Sequence, residues 1–104
     1  MRLEDKMWKI ANHLGERKVG QQLTEEMAEL IVCASKFIRF NSGEFVDFTD
    51  KEKYENNLIE EIAHVEICLE MLKMIRRIDE NKINEEKQKK VDRLMKAYNM
   101  HNIK

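Results

Sequence analysis

The sequence predicts an all-α fold, a four-helix bundle in one domain over residues 1–104. Three observations carry that prediction. The chain has no proline and only 3 glycines, so little in it interrupts a helix. Its apolar residues, within a composition that is 42% hydrophobic and 38% charged, recur every three or four positions. Nowhere do they show the strict alternation of a half-buried strand. Finally, one segment is written twice. Residues 22–33, QLTEEMAELIVC, are answered 35 positions later by residues 57–68, NLIEEIAHVEIC.

The first helix is expected from Leu3 to about Leu14, where Leu3, Met7, Trp8, Ile10, Ala11 and Leu14 recur at helical spacing and Gly15 supplies the stop. Val19-Gly20 leads into the second helix, from about Gly20 to Phe40, with Leu23, Met27, Leu30, Ile31, Ala34 and Ile38 as its apolar stripe. Asn41-Ser42-Gly43 signals a turn, and a long loop follows to Phe48. That loop carries Phe45, Val46 and Phe48, apolar residues suited either to plug the core or to hang over a ligand. Thr49-Asp50-Lys51-Glu52 has capping-box spacing and opens a third helix that runs to about Ile78. A polar break, Asp79 to Ile83, leads to Asn84, which can cap a fourth helix from Glu85 to about Tyr98 with Val91, Leu94, Met95 and Tyr98 turned inward. Residues 99–104 read as a frayed tail.

The third helix is apolar on more than one side, through Leu58, Ile59, Ile62, Val65, Ile67, Leu69, Met71, Leu72, Met74 and Ile75. A lone 104-residue chain rarely buries so wide an arc. Self-association through the second and third helices is therefore expected, as a homodimer or homotetramer.

Composition also excludes partners. A net charge of −1 gives no field toward nucleic acid or anionic lipid, and the basic runs Arg76-Arg77 and Lys87 to Lys90 are short and flanked by acids. No apolar run approaches the roughly 20 residues that span a membrane. Met1 to Lys6 lacks the apolar stretch of a signal peptide, so a cytoplasmic protein is expected, with Cys33 and Cys68 as reduced thiols. The two cysteines occupy equivalent places in the repeat and read as small core side chains; a redox pair, close together if the repeats pack face to face, is the alternative.

Each copy of the repeat sets acids inside an apolar helical pattern. Gln22, Glu26, Glu29, Cys33 and Lys36 share one stripe, and Asn57, Glu61, His64 and Cys68 share another. Each helix thus offers two ligands three residues apart, Glu26 with Glu29 and Glu61 with His64. Packed antiparallel, the pairs would line a pocket for a hard divalent cation, with Glu25 and Glu60 flanking it. One copy alone would read as a solvated helix face; two copies in register favour a site. A di-iron bundle is the weaker reading, because it pairs two Glu-x-x-His motifs and only Glu61 to His64 is present.

Glu25-Glu26-Met27-Ala28-Glu29 followed by Glu61-Ile62-Ala63-His64 resembles the EExxE…ExxD signature of the MazG-like, all-α nucleoside triphosphate pyrophosphohydrolases. The likeness covers about residues 5 to 95 and is most similar to the small single-domain members of phages and Firmicutes. The resemblance implies two antiparallel helices that hold Mg²⁺, which binds the triphosphate of an NTP or dNTP. An activated water then cleaves between the α and β phosphorus to give monophosphate and pyrophosphate. It implies Glu26, Glu29 and Glu61 as metal ligands, with Glu26 and Glu25 catalytic, Glu25 as a further ligand or the orienter of the water. Lys36 and Arg39, about two and three turns beyond Glu29, are placed to meet phosphate oxygens, and Gln22 and Asn57, one turn before the ligand pairs, to bind sugar, base or a ligand carboxylate. Trp8 is a candidate to stack on a base, with core packing the plainer role.

His64 departs from this pattern, standing where the family has Asp. An imidazole suits Mn²⁺ and later transition metals better than Mg²⁺, and it removes one negative charge. The expectation is a hydrolase with Mn²⁺ possible or preferred, or one that recruits Glu60. Two other readings stand beside it: a weakened relative that sequesters a nucleotide or acts through a protein partner, and a plain helical interaction protein. His13 and His101 carry no comparable context.

Overall fold

The computed structural model describes residues 1–41 and 49–100, the side chains of residues 40, 41, 49 and 50 excepted. Four α-helices follow in chain order: α1 (Leu3–Leu14), α2 (Glu16–Asn41), α3 (Thr49–Arg76) and α4 (Glu80–Ala97). No strand occurs among the described residues. The turn at Asn41-Ser42-Gly43, the Phe45 to Phe48 loop, the Thr49 capping side chain and His101 lie outside what is described.

α1 ends where the sequence expects. Gly15 adopts φ 84, a left-handed conformation that glycine reaches without a Cβ penalty, and its N–H donates to the Ala11 carbonyl. The Gly15 carbonyl already accepts from the Val19 N–H at 3.1 Å, so one residue forms the whole corner. α2 therefore starts at Glu16, a full turn before the expected Gly20. Glu16 favours the positive end of the helix dipole, and Val19 is fully buried. Burial of Val19 outweighs the roughly 1 kcal/mol penalty of a helical glycine at Gly20.

α3 closes two residues short of Ile78. Arg77 takes φ 52, and the Ile78 N–H reaches back to the Lys73 carbonyl at 3.1 Å, a Schellman closure built without glycine. That closure leaves Asp79 extended, and its carboxylate accepts from the Asn81 N–H at 2.9 Å. Asp79 is thus the cap of α4, and Asn84, the expected cap, lies inside the helix. Asn99 (φ 57) and Met100 close α4 in the same way, through Met100 N–H to the Met95 carbonyl at 2.7 Å. Residues 101–104 of the expected tail lie outside the described part.

α2 and α3 form an antiparallel hairpin, the largest helix pairing in the molecule, and α1 lies across it. The core sits where the three meet: Met7 and Ala11 of α1, Val19 of α2, and Cys68 and Met71 of α3, with Leu14, Leu23, Leu72, Met74 and Ile75 packed around them. An exposed ion pair, Arg76 to Glu16 at 3.4 Å, ties the end of α3 to the α1–α2 corner. Apolar residues beyond this core remain uncovered, among them Ile31 and Ile38 on α2 and Ile59, Ile62, Ile67 and Leu69 on α3.

α4 is the outlying helix of the four. Among the described residues it makes no close backbone packing with another helix, and the Lys73–Glu80 ion pair at 3.0 Å joins its first turn to α3. Val91, Leu94 and Tyr98, expected to face inward, are exposed, and no other helix among the described residues packs closely over them. No helix among the described residues is long and apolar enough to cross a membrane.

Candidate metal centre

The repeat becomes a site through the antiparallel hairpin. Glu26 faces His64, and Glu29 comes within hydrogen-bonding reach of Glu61. The two pairs are related by the repeat itself, since adding 35 to 26 and 29 gives 61 and 64. An approximate internal two-fold therefore relates the acidic segments. It sets donor atoms of Glu26, Glu61 and His64 within 4.8 Å of one another.

Each contact in the cluster has a chemical consequence. His64 Nδ1 lies 3.4 Å from Glu26 Oε2 and 3.6 Å from Glu61 Oε1, while its Nε2 lies 3.9 Å from Glu60 Oε1. The imidazole is thus ringed by three carboxylates. Glu61 is the most enclosed of them, its side chain 13% exposed. Its carboxyl is pushed up to about 7, first by the hydrogen bond with Glu26, then by burial, then by the hydrogen bond with Glu29, with the charges of both acids adding. Such pairing between carboxyls requires a shared proton. Without that proton, Glu26 Oε2 and Glu61 Oε2 are buried oxygens with no hydrogen-bond partner. Buried polar atoms normally have partners, so these two call either for a proton or for a cation between them.

Beside the cluster an open groove of about 300 Å³ is lined by Gln22, Glu26, His64, Cys68, Ile10, Ile67 and Met71. Its lining mixes polar groups with apolar ones. Ile10 is a wall residue that sequence reasoning did not single out. On α1 it falls on one shoulder of the Met7–Ala11–Leu14 stripe and Trp8 on the other, two residues and about 200° apart. An apolar residue beside the core stripe on the α2 side was the available signal.

The remaining candidates are placed unequally. Gln22 joins the groove. Glu29 is exposed yet reaches Glu61. Glu25, next to Glu26 but about 100° around the helix, lines a separate depression with Leu14, Lys18, Gln21 and Gln22. Lys36 lies close enough to Cys33 to act on its thiol. Arg39 is exposed ten residues beyond Glu29, about 15 Å along the helix. Asn57 is exposed on α3, and Trp8 is half-exposed and does not line the groove.

Both cysteines are free, Cys68 buried and Cys33 half-buried. The antiparallel register sets them at opposite ends of the acidic stripe rather than side by side. Cys68 lies beside Gln22 and Glu26, whereas Cys33 is seven residues past Glu26, about 10 Å along α2. Burial raises both thiols, aided by Glu61, Glu29 and Glu60 at Cys33, where Lys36 opposes, and by Glu26 at Cys68.

No protein-family model matches the chain, and no curated protein or solved structure matches it. The chemistry of the centre is therefore argued from its own residues.

Proposed function

We propose that this chain is a metal-dependent nucleotide pyrophosphohydrolase of the MazG-like type, converting NTPs or dNTPs to monophosphate and pyrophosphate. The single observation that carries the reading is the pair of buried, unpartnered oxygens, Glu26 Oε2 and Glu61 Oε2, facing one another across two helices beside an imidazole. Two carboxylates and an imidazole form a donor set that suits Mn²⁺ and accepts Mg²⁺ less well. Glu26, Glu61 and His64 would hold the ion, with Glu29 completing the set through its contact with Glu61. When bound, such an ion neutralises phosphate charge and lowers the pKa of a coordinated water.

The chain's own groups supply the rest. Water adds to the α phosphorus and the bridging bond to the β phosphate breaks, so pyrophosphate leaves with the bridging oxygen and the water's proton passes to a base. Glu26, within the cluster, and Glu25, on the neighbouring face, are the carboxylates proposed for that proton and for orienting the water. Lys36 and Arg39 extend the site toward phosphate oxygens. Ile10, Ile67 and Met71 form an apolar wall for the base, with Gln22 at its edge. Asn57 and Trp8 are the outlying candidates for sugar and base. The protein acts in the cytoplasm as a homodimer or homotetramer, without nucleic-acid or membrane partners.

One observation favours a second reading. His64 Nδ1 sits between Glu26 and Glu61, where the family's Asp would add a carboxylate. An imidazole that pairs with both acids competes for the space of an ion, which suits a nucleotide-binding relative with weakened hydrolysis.

Product analysis separates the two. The purified chain is incubated with each NTP and dNTP and with Mg²⁺ or Mn²⁺, and monophosphate and pyrophosphate are resolved by ³¹P NMR. The hydrolase reading expects both products, faster with Mn²⁺, and none from Glu26→Ala. Nucleotide binding without products supports the second reading. No products, with Glu26→Ala binding nucleotide as well as the parent, would sink the metal-site reading, and no nucleotide binding at all would sink both.

A further inference from the structure

α4 is an amphipathic helix whose apolar stripe meets no other helix closely among the described residues. Ile83, Lys87, Val91, Leu94 and Tyr98 succeed one another by three or four and share one face. Val91, Leu94 and Tyr98 are 50%, 40% and 70% exposed, and no residue of α4 is buried. Helices in proteins draw most of their stability from packing an amphipathic face, and this 18-residue helix leaves its own largely uncovered among the described residues. The stripe on α4 therefore calls for cover.

The surface beside it indicates what covers it. A cleft between α3 and α4 is lined by Leu69 and Ile83, with Glu66, Glu70, Lys73 and Lys87 around them. An apolar strip continues from that cleft along α4 from Ile83 to Val91, bordered by Lys82, Lys87 and Lys90 and by one acid, Glu86. The two walls differ in charge. α4 has 6 Lys or Arg against 4 Asp or Glu in its sequence ENKINEEKQKKVDRLMKA. The α3 wall presents Glu66 and Glu70, and its one cation, Lys73, is already held by Glu70 and by Glu80 at 3.0 Å. A basic helix with an apolar stripe thus matches an acidic wall with an apolar floor, and both lie on the same chain.

We infer that α4 of a second copy of this chain fills the cleft. The exchange is two-fold: each α4 lies against α3 and α4 of the other copy, so the Val91–Leu94–Tyr98 stripe packs on Leu69 and Ile83 while lysines of one copy meet Glu66 and Glu70 of the other. Such a contact is self-complementary and closes at two chains. It differs from the association through α2 and α3 expected from the sequence, and it does not depend on the metal centre.

Sedimentation equilibrium and light scattering test it, with circular dichroism as the check on folding. The parent should run at twice its 12.5 kDa chain mass at high micromolar concentration. Leu94→Glu places a charge in the stripe of both copies and should raise the dimer dissociation constant at least about 30-fold, the loss of a buried anchor. Charge reversal gives a second arm. Glu66→Lys/Glu70→Lys and Lys87→Glu/Lys90→Glu should each run as single chains alone, and an equimolar mixture should recover a mass of two chains. A parent that is monomeric throughout, a dimer indifferent to Leu94→Glu, or a mixture that stays monomeric overturns the inference.

Discussion

Moving from pH 8 to pH 6 should weaken Mn²⁺ binding by about tenfold, and the reason lies in one side chain. Glu61 is pushed up to about 7 by its hydrogen bond with Glu26, by burial and by its contact with Glu29. A carboxylate must lose its proton to serve as a ligand, so metal and proton compete for it. With the midpoint near 7, about nine-tenths of the protein is ready to bind at pH 8 and about one-tenth at pH 6. The same shift acts on stability. Glu61 binds its proton more tightly in the fold than at its ordinary value of 4.5, so the stabilisation is fully present below about 4.5 and is lost as pH rises through 7. The metal-free protein should therefore melt lower at pH 8 than at pH 5, and metal at a hundred times its dissociation constant should add about 2.7 kcal/mol at pH 8. Isothermal titration with Mn²⁺ at the two pH values reads the affinity, and thermal melts read the stability. Glu61→Gln should raise the metal-free melting temperature at pH 8 and abolish the Mn²⁺ response. Equal affinities at pH 6 and pH 8, or a Glu61→Gln protein that binds as tightly as the parent, would refute the reasoning.

Other changes follow from the same contacts. His64→Asp places a third carboxylate beside Glu26 and Glu61, and turnover with Mg²⁺ should rise above the parent's in the pyrophosphate assay. Met71 is 3% exposed at the junction of three helices, so Met71→Ala should cost about 2–5 kcal/mol in urea unfolding. Cys33 and Cys68 sit apart with raised thiols, so iodoacetamide at pH 8 should label both slowly and oxidant should form no intrachain disulfide.

Much of this was legible in the sequence, and particular residues show why. Gly15 announced the α1–α2 corner because only a residue without a Cβ enters φ 84 freely. The repeat told which acids would meet, since an antiparallel pairing of two related segments must oppose Glu26 to His64 and Glu29 to Glu61 together. What escaped depends on contacts remote in sequence. Gly20 looked like a helix boundary until Val19 proved fully buried. Asn84 is as good a cap as Asp79 by composition, and only the Schellman turn at Arg77 decides between them. Periodicity marked an apolar face on α4 and turned it inward, yet among the described residues no other helix packs closely on it. Cys68 is a core side chain, as read, and it is the alternative of a close redox pair that fails, for a related reason. Equivalent places in a repeat become distant places when the copies run antiparallel.

The central claim is that Glu26, Glu61 and His64 form a cation site and not merely a proton-sharing cluster. Anomalous difference density from a crystal soaked in Mn²⁺ tests it most directly. One strong peak is expected within bonding distance of Glu26 Oε2, Glu61 Oε2 and a ring nitrogen of His64. Density showing those two oxygens bonded only to each other, with manganese bound elsewhere or nowhere, would contradict it.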